Sequence, residues 1–204
     1  MNHVYVAFLA PKNKMGRFIR FFTRNKYSHV AISLDKNLEI MYSFARRKWR
    51  LPLAGGFVIE YPIHYASDTE DSQIKLSRLS LSDDSYNRLI SIIKECEKDK
   101  DAMIYNSIDA VVSSLFHKSI YIKNCYTCIS FACYLLGVRK IYTIPELERK
   151  LKDNVIYEGN FSEYVKISEY QDPSYYESIG YVKIVLGTIY HFGRLFYRFV
   201  KEIL

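Results

Sequence analysis

Residues 28–44, SHVAISLDKNLEIMYSF, contain two apolar runs on either side of the turn sequence at 35–37. Both runs alternate apolar with small or polar side chains, and this period of two is typical of β-strands. Two such strands joined by a short polar turn form an antiparallel hairpin. The hairpin therefore favours an antiparallel sheet over the parallel sheet of a βαβ protein.

Further strand patterns flank this hairpin, and helical patterns follow them. Four more strands are predicted at residues 3–9, 57–61, 73–79 and 155–157. From Ser82 the apolar spacing changes to steps of three and four, which predicts helices within 83–96, 105–116, 125–136 and 143–151. Strands followed by helices are typical of an α+β fold, in which an antiparallel sheet is packed with helices.

The length and composition fit one domain with a helix attached. The chain has 204 residues, of which 49% are hydrophobic, and this is enough for one buried core and too apolar for a disordered protein. Residues 1–170 are predicted to form the domain. In residues 171–204, cations lie between apolar side chains at helical spacing, so this tail is predicted to be an amphipathic helix that packs on the domain.

Positive charge is concentrated in the N-terminal quarter of this chain of net charge +7. Residues 11–26 contain six cations and no acid, and residues 46–50 contain four more cations. Such patches attract the phosphates of lipids, nucleic acids or cell-wall polymers. Nucleic-acid binding is the weaker of these interpretations, because no recognised nucleic-acid-binding module accompanies the cations.

A cytoplasmic location is expected from the N-terminal residues and from the cysteines. The apolar run that begins the chain is short, alternates, and ends at Pro11 without the small-residue cleavage site of a signal peptide. No run reaches the ~18 apolar residues that span a bilayer. The four cysteines, Cys96, Cys125, Cys128 and Cys133, fit free thiols in a reducing compartment better than a disulfide framework.

His29 and Cys128 are the residues that suggest chemistry. His29 opens the first strand of the hairpin, beside the small side chains of Ala31 and Ser33, which leave room for another element. Cys128 lies in the first turn of an apolar helix that Asn124 or Thr127 could cap. A helix N-terminus and a nearby imidazolium are the two commonest means of lowering a thiol pKa. If the fold brings the two residues together, they form the pair of a cysteine hydrolase or acyltransferase.

The alternatives for the cysteines are a metal site, a redox pair or inert packing. Cys125 and Cys128 have the C-x-x-C spacing of half a zinc site, but the sequence has no second C-x-x-C and no close histidine pair. A thioredoxin-like redox pair requires a βαβ unit, which the strand pattern does not predict. We therefore expect no metal and no cofactor, and we expect Cys96, Cys125 and Cys133 to be core thiols.

A third polar group usually holds the imidazole of a thiol–imidazole pair. The second strand of the hairpin offers Ser43 and Tyr42 at a suitable distance along the strand, and Glu39 nearer the turn. We therefore predict Ser43 or Tyr42 as the third residue.

Five segments carry a resemblance to a known family: YSHVAISLD (27–35), MYSFARRKW (41–49), GGFVIEYP (55–62), MIYNSIDAV (103–111) and TCISFACYLLG (127–137). Together they resemble the circularly permuted branch of the NlpC-type papain-fold cysteine hydrolases, which includes relatives of lecithin:retinol acyltransferase. The resemblance covers residues 4–138 and implies a permuted papain-like fold. In that family a histidine strand comes first, a polar third residue lies on a following strand, and a nucleophilic cysteine then begins a helix.

The resemblance also assigns roles to residues. The family motif Cys-Ser/Thr-x-Phe-Val corresponds here to Cys128-Ile-Ser-Phe131-Ala, so that Phe131 is in register behind Cys128 and not behind Cys125. This implies that Cys128 is the nucleophile and His29 its acid and base. The third position of the family is often His, Asn, Gln or Glu, whereas this chain offers Tyr42 or Ser43 there, so a dyad and a triad both remain open.

The implied reaction is acyl transfer from an amide or ester through a thioester on Cys128. Resemblance to cell-wall peptidases suggests a peptide substrate, and resemblance to the acyltransferases suggests a lipid ester. The basic amphipathic stretch 14–24 and the aromatic tail 190–199 favour an anionic membrane surface as a partner, although each could instead pack on the protein. The alternative function is a binding module that keeps the scaffold without activity.

Overall fold

An antiparallel six-stranded sheet forms the centre of the protein. The computed structural model describes residues 2–11, 25–48, 50–51, 54–65, 71–166, 175 and 177–203. The sheet consists of β1 (Asn2–Ala10), β2 (His29–Ser33), β3 (Met41–Arg46), β4 (Gly55–Glu60), β5 (Gln73–Leu81) and β8 (Val155–Asn160), in the order β4-β3-β2-β1-β5-β8. A separate parallel pair consists of β6 (Ile104–Tyr105) and β7 (Cys125–Tyr126).

Helices cover and extend this sheet, and the predicted α+β class is confirmed. They are α1 (Asp83–Lys98), α2 (Ser107–Phe116), α3 (Cys128–Leu136), α4 (Ile144–Lys150), α5 (Phe161–Tyr164) and α6 (Tyr181–Ile203). Helix α1 begins where the sequence predicts, because the Ser82 side chain accepts a hydrogen bond from the backbone N–H of Ser85. Helix α4 has the capping box of Thr143 and Glu146.

The hairpin has a longer connection than the sequence pattern predicts. Its second strand begins at Met41 and not at residue 38. The carboxylate of Asp35 accepts hydrogen bonds from the backbone N–H groups of Asn37 and Glu39, and Leu38 is buried with a left-handed φ of 58°. These bonds hold residues 34–40 in a loop and delay the return strand.

The two faces of the sheet bury two different cores. One face packs against α1, α3 and α4 through a large cluster that includes Val30, Ile32, Phe44, Phe57 and Phe131. The other face packs against α5 through a smaller cluster that includes Ala7, Ala31, Met41, Tyr65 and Phe161. The first cluster fixes α3, and with it Cys128, against the sheet.

Two glycines let the β6–β7 pair approach the sheet edge. A Cβ atom at Gly55 would overlap the carbonyl of Ala45, and one at Gly56 would overlap the carbonyl of Met103, which precedes β6. The absence of these side chains allows β6 to pack against β4. Because β7 pairs with β6, this close approach also sets where α3 begins.

Helix α6 packs on the body of the protein near β6 and β7. Leu195 is fully buried in a third cluster with Ile104, Ile122 and Cys125. The predicted domain boundary at residue 170 and the basic amphipathic stretch 14–24 lie outside the residues that the structure describes. Within the described ranges, no helix combines the length and the apolar character needed to cross a membrane.

Candidate active site

The start of α3 is fixed by a capping box. The Thr127 side chain accepts a hydrogen bond from the N–H of Ser130, and the Ser130 side chain accepts one from the N–H of Thr127. Thr127 and not Asn124 is therefore the cap, and Cys128 is the first residue of the helix. The first N–H groups of a helix have no intrahelical partner, and Cys128 and Ile129 are the first two residues of this helix.

An aromatic cluster holds α3 against the sheet. Phe131 is fully buried, and its ring centroid lies 4.8 Å from that of Phe44 on β3 and 5.8 Å from that of Phe57 on β4. Tyr126, which precedes the cap, lies 5.1 Å from Phe44. These contacts position the N-terminus of the helix over the edge of the sheet where β2 begins.

The structure brings Cys128 and His29 together, which is the condition that the sequence left open. The Cys128 thiol interacts with the His29 ring and contributes to the raised pKa of His29, and both residues are largely buried. His29 is the first residue of β2, where its ring meets Cys128 from the first core and stacks on Tyr65 from the second, with 6.4 Å between ring centroids. His29 belongs to the first and Cys128 to the last of the five segments that carry the family resemblance.

The third polar group is Glu60, at the end of β4. The Nε2 atom of His29 lies 2.9 Å from Oε1 and 3.2 Å from Oε2 of Glu60, whose side chain is 6% exposed. Because Nε2 faces the carboxylate, Nδ1 is the ring nitrogen that remains for the thiol. Cysteine, histidine and glutamate thus form a continuous chain of polar contacts.

Two hydroxyl groups complete the surroundings of Glu60. Ser43 donates a hydrogen bond to Oε1 of Glu60, and Tyr65 donates one to Oε2. Every oxygen of the buried carboxylate therefore has a partner, as a buried charge requires.

The ionisation of the site follows from these contacts. Burial disfavours the charged imidazole, but the Glu60 carboxylate and the hydrogen bond to Cys128 outweigh it and raise the pKa of His29. Burial likewise opposes the charged carboxylate, yet His29, Ser43 and Tyr65 together lower the pKa of Glu60. Both directions favour an imidazolium–carboxylate ion pair at neutral pH, next to the thiol.

The predictions for the third residue need correction. Tyr42 lies on the other face of the sheet, where it stacks on Phe57 with centroids 6.3 Å apart. Ser43 is on the correct face, but it bonds Glu60 and acts on His29 only through that carboxylate. Glu39 is an exposed residue of the loop. Strand alternation explains the difference, because Tyr42 and Ser43 point to opposite faces.

The sequence held a signal for Glu60 that the search along the hairpin missed. The run FVIEYP at 57–62 places one acid in an apolar strand, on the same face as Val58. An acid on the buried face of a strand requires a partner, and this requirement marks it as a candidate. The antiparallel pairing then sets Glu60 opposite Met41, two residues before Ser43.

The remaining cysteines lie in cores. Burial raises the pKa of Cys96 and of Cys133 to about 12. Burial also raises the pKa of Cys125, against a hydrogen bond from Arg198. Cys125 belongs to the third core and Cys128 to the first, so the two thiols of the C-x-x-C pair lie in different cores. In the described part of the chain, no group of three or more His, Cys, Asp or Glu side chains is arranged to hold a metal ion.

The arrangement has the parts needed for acyl transfer. An imidazolium next to a thiol stabilises the thiolate, which is the nucleophilic form. The first N–H groups of a helix have no intrahelical partner, and such groups can stabilise an oxyanion, so the start of α3 provides donors of the kind that this chemistry needs.

Comparison of the chain with protein-family models, with curated proteins and with solved structures found no match.

Proposed function

We propose that this protein is a thiol-dependent hydrolase or acyltransferase that cleaves an amide or ester bond through a thioester on Cys128. The observation that carries the proposal is the contact of a helix-initial cysteine with a histidine that a buried glutamate holds. Structural ion pairs also occur in protein cores, but they have no reason to include a thiol at a helix start.

In the proposed reaction, the Cys128 thiolate attacks the carbonyl carbon and the backbone N–H groups of residues 128 and 129 stabilise the oxyanion. His29 gives its Nδ1 proton to the departing amine or alcohol, which leaves a thioester on Cys128. The neutral imidazole then takes a proton from water or an acceptor alcohol as that oxygen attacks the thioester; the C–S bond breaks, the acid or ester product is released, and the Cys128 thiolate and the His29 imidazolium are restored. Glu60 keeps the ring oriented and stabilises its charged form in both half-reactions.

The order of the parts supports a place in the permuted NlpC-type group. The histidine strand comes before the cysteine helix, and the third residue lies on a strand between them, in an α+β fold. Glu is one of the residues found at the third position in that family, so a glutamate beside His29 supports the proposal, although it lies on β4 and not on the strand of Tyr42 and Ser43.

We propose a peptide amide or a lipid ester as the substrate, since these are the two classes that the family resemblance suggests. We also propose a cytoplasmic location, since all four cysteines are free thiols and such thiols persist in a reducing compartment.

The test is the rate at which iodoacetamide labels each cysteine at neutral pH, mapped by peptide mass spectrometry. We expect Cys128 to label much faster than Cys96 and Cys133, and His29→Ala to remove the difference. Tyr42→Phe is the matched control, because Tyr42 lies on the neighbouring strand but on the opposite face, and it should label like the wild type. If Cys128 labels no faster than Cys96, or if His29→Ala has no effect, the enzyme proposal fails and the binding module takes its place.

Reactivity with substrate is tested on the same peptide. Incubation with small esters and peptide amides, followed by rapid acid quenching, should add the mass of the acyl group to the peptide that carries Cys128. A Cys128→Ser variant distinguishes thioester formation from acylation elsewhere.

A further inference from the structure

Helix α6 is held on the protein by its inner side. Arg194 donates a hydrogen bond to the carbonyl of Asp101 at 2.8 Å, and Arg198 donates one to the carbonyl of Ala102 at 2.7 Å. Leu195 is fully buried between these two arginines, and Glu202 accepts a hydrogen bond from the N–H of Lys123. The helix is thus fixed along its C-terminal half, and its outer side is determined.

The outer side of α6 is apolar and exposed. The side chains at steps of three and four that point away from the body are between 39% and 68% exposed: Val182, Val185, Leu186, Ile189, Phe192 and Phe196. A helix that exposes its apolar face to water has an apolar surface of the kind that marks a binding site for another molecule or a membrane. We call these six residues the outer face of α6.

A second set of exposed apolar side chains lies on α2 and the loop after it. These are Val111, Leu115, Phe116 and Tyr121, which are between 57% and 69% exposed. Ile108 of α2 and Phe199 of α6 pack against the same third core, so the two elements are neighbours. The two elements that carry exposed apolar side chains therefore pack on the same core.

The charges on α6 indicate what the outer face binds. Residues 181–203 contain four cations and one acid, and the acid, Glu202, bonds the body of the protein. Lys183 and Lys201 lie on the same side of the helix, at one margin of the outer face, and are exposed. Tyr190 and Tyr197, at the same margin, are also exposed. Apolar side chains bordered by lysine and tyrosine match the boundary between lipid tails and anionic headgroups.

We propose that the outer face of α6 is a binding surface for anionic lipid membranes, on which the helix lies parallel to the surface. A second copy of the chain is a poorer occupant for an electrostatic reason. In an antiparallel pairing of two α6 helices, Lys183 of one copy would face Lys201 of the other at both ends, because the two lysines are equidistant from the helix centre and share a margin. The proposal concerns binding alone and does not rest on the thiol chemistry.

The experiment is cosedimentation of the full chain with phosphatidylcholine vesicles that contain or lack phosphatidylserine. We expect binding to the vesicles with phosphatidylserine and its decrease with salt. Leu186→Asp combined with Ile189→Asp should lower the partition coefficient by about tenfold or more, since two inserted side chains are lost. Lys183→Gln and Lys201→Gln should lower it by about fivefold each, at roughly 1 kcal/mol per cation near an anionic surface.

The matched control is Ile156→Asp, which places the same charge at an apolar side chain on β8 that is 41% exposed. It should bind like the wild type, and thermal unfolding should show that all variants fold. The proposal is overturned if the wild type does not bind vesicles, or if Leu186→Asp/Ile189→Asp binds equally well. It is also overturned if analytical ultracentrifugation finds a dimer that this variant dissociates, because the outer face would then belong to a second copy.

Discussion

The two faces of the central sheet differ in the size and polarity of what they bury. The face under α3 is filled by rings such as Phe44, Phe57 and Phe131. On the opposite face, β2 and β3 carry the small side chains of Ala31 and Ser43. These leave room for the imidazole of His29 and the carboxylate of Glu60. The bulky face fixes the position of α3, and the small-residue face holds the charge that acts on its first residue.

This comparison separates residues that stabilise the fold from residues that tune the site. Substitutions on the ring-filled face should change stability first, and substitutions around Glu60 should change the reactivity of Cys128 by more than their effect on stability explains.

Phe131→Ala should give the largest loss of stability. It removes a fully buried ring that touches two strands, and we expect the free energy of unfolding to fall by about 3–5 kcal/mol. Urea denaturation measures this value. Tyr134→Ala, on the exposed side of the same helix, is the control and should cost much less. A loss below about 1 kcal/mol for Phe131→Ala would show that the rings do not fix α3.

Glu60→Ala should destabilise the protein by a similar amount for a different reason. It leaves the buried imidazolium of His29 without its partner, and removing one member of a buried ion pair costs about 3–5 kcal/mol. Glu60→Gln keeps the shape and acceptor oxygen and should cost less. In Glu60→Gln, iodoacetamide should still label Cys128 more slowly than in the wild type, because a less basic His29 stabilises less thiolate. The rate should fall by about tenfold for each unit by which the pKa of His29 falls. Equal rates of Cys128 labelling in Glu60→Gln and the wild type would show that Glu60 does not influence the thiol.

The stability difference between wild type and Glu60→Gln should depend on pH. The pKa of His29 is raised above its ordinary 6.5, so its contribution is complete below pH 6.5 and is lost as the pH rises toward the raised value. The pKa of Glu60 is lowered below its ordinary 4.5, so its contribution is complete above pH 4.5 and is lost as the pH falls. Urea denaturation at a series of pH values should show the largest difference between pH 4.5 and 6.5. A difference that is constant from pH 5 to 9 contradicts the ion pair.

Ser43→Ala should have a smaller effect of the same kind. It removes one hydrogen bond to a buried carboxylate, which corresponds to about 1.5–3 kcal/mol, and it leaves the His29 contact in place. We expect slower labelling of Cys128 than in the wild type but faster than in Glu60→Gln. The reverse order would mean that Ser43 acts on the site by another route.

Tyr42→Phe should have the smallest effect. The ring remains stacked on Phe57, and the lost hydroxyl lies on the face away from Glu60. The free energy of unfolding should change by no more than about 0.5 kcal/mol, with no change in the labelling of Cys128. A slowed reaction in this variant would return Tyr42 to the candidate third residues.

The local elements of the fold could be predicted from the sequence better than the way in which they pair and pack. The first hairpin strand, the Ser82 cap and the capping box at Thr143 follow from local patterns, and the structure confirms them. The second hairpin strand begins three residues later than predicted, and the structure selects Thr127 from the two caps that the sequence left open. The pairing of β5 with β1 could not be predicted, since it joins residues about seventy positions apart and places β5 outside the order of the meander. The short β6–β7 pair was also missed, because two-residue strands have no readable period.

The amino-acid sequence by itself determined the chemical parts of this protein. A cysteine at a capped helix start and a histidine at a strand start are set by local spacing, and local spacing depends on backbone periods of two and 3.6 residues. Only the tertiary structure decided that Glu60, and neither Ser43 nor Tyr42, holds the imidazole, and that the apolar face of α6 turns outward. Such choices depend on which strands and helices meet, and this is fixed by burial and long-range pairing that no local pattern records.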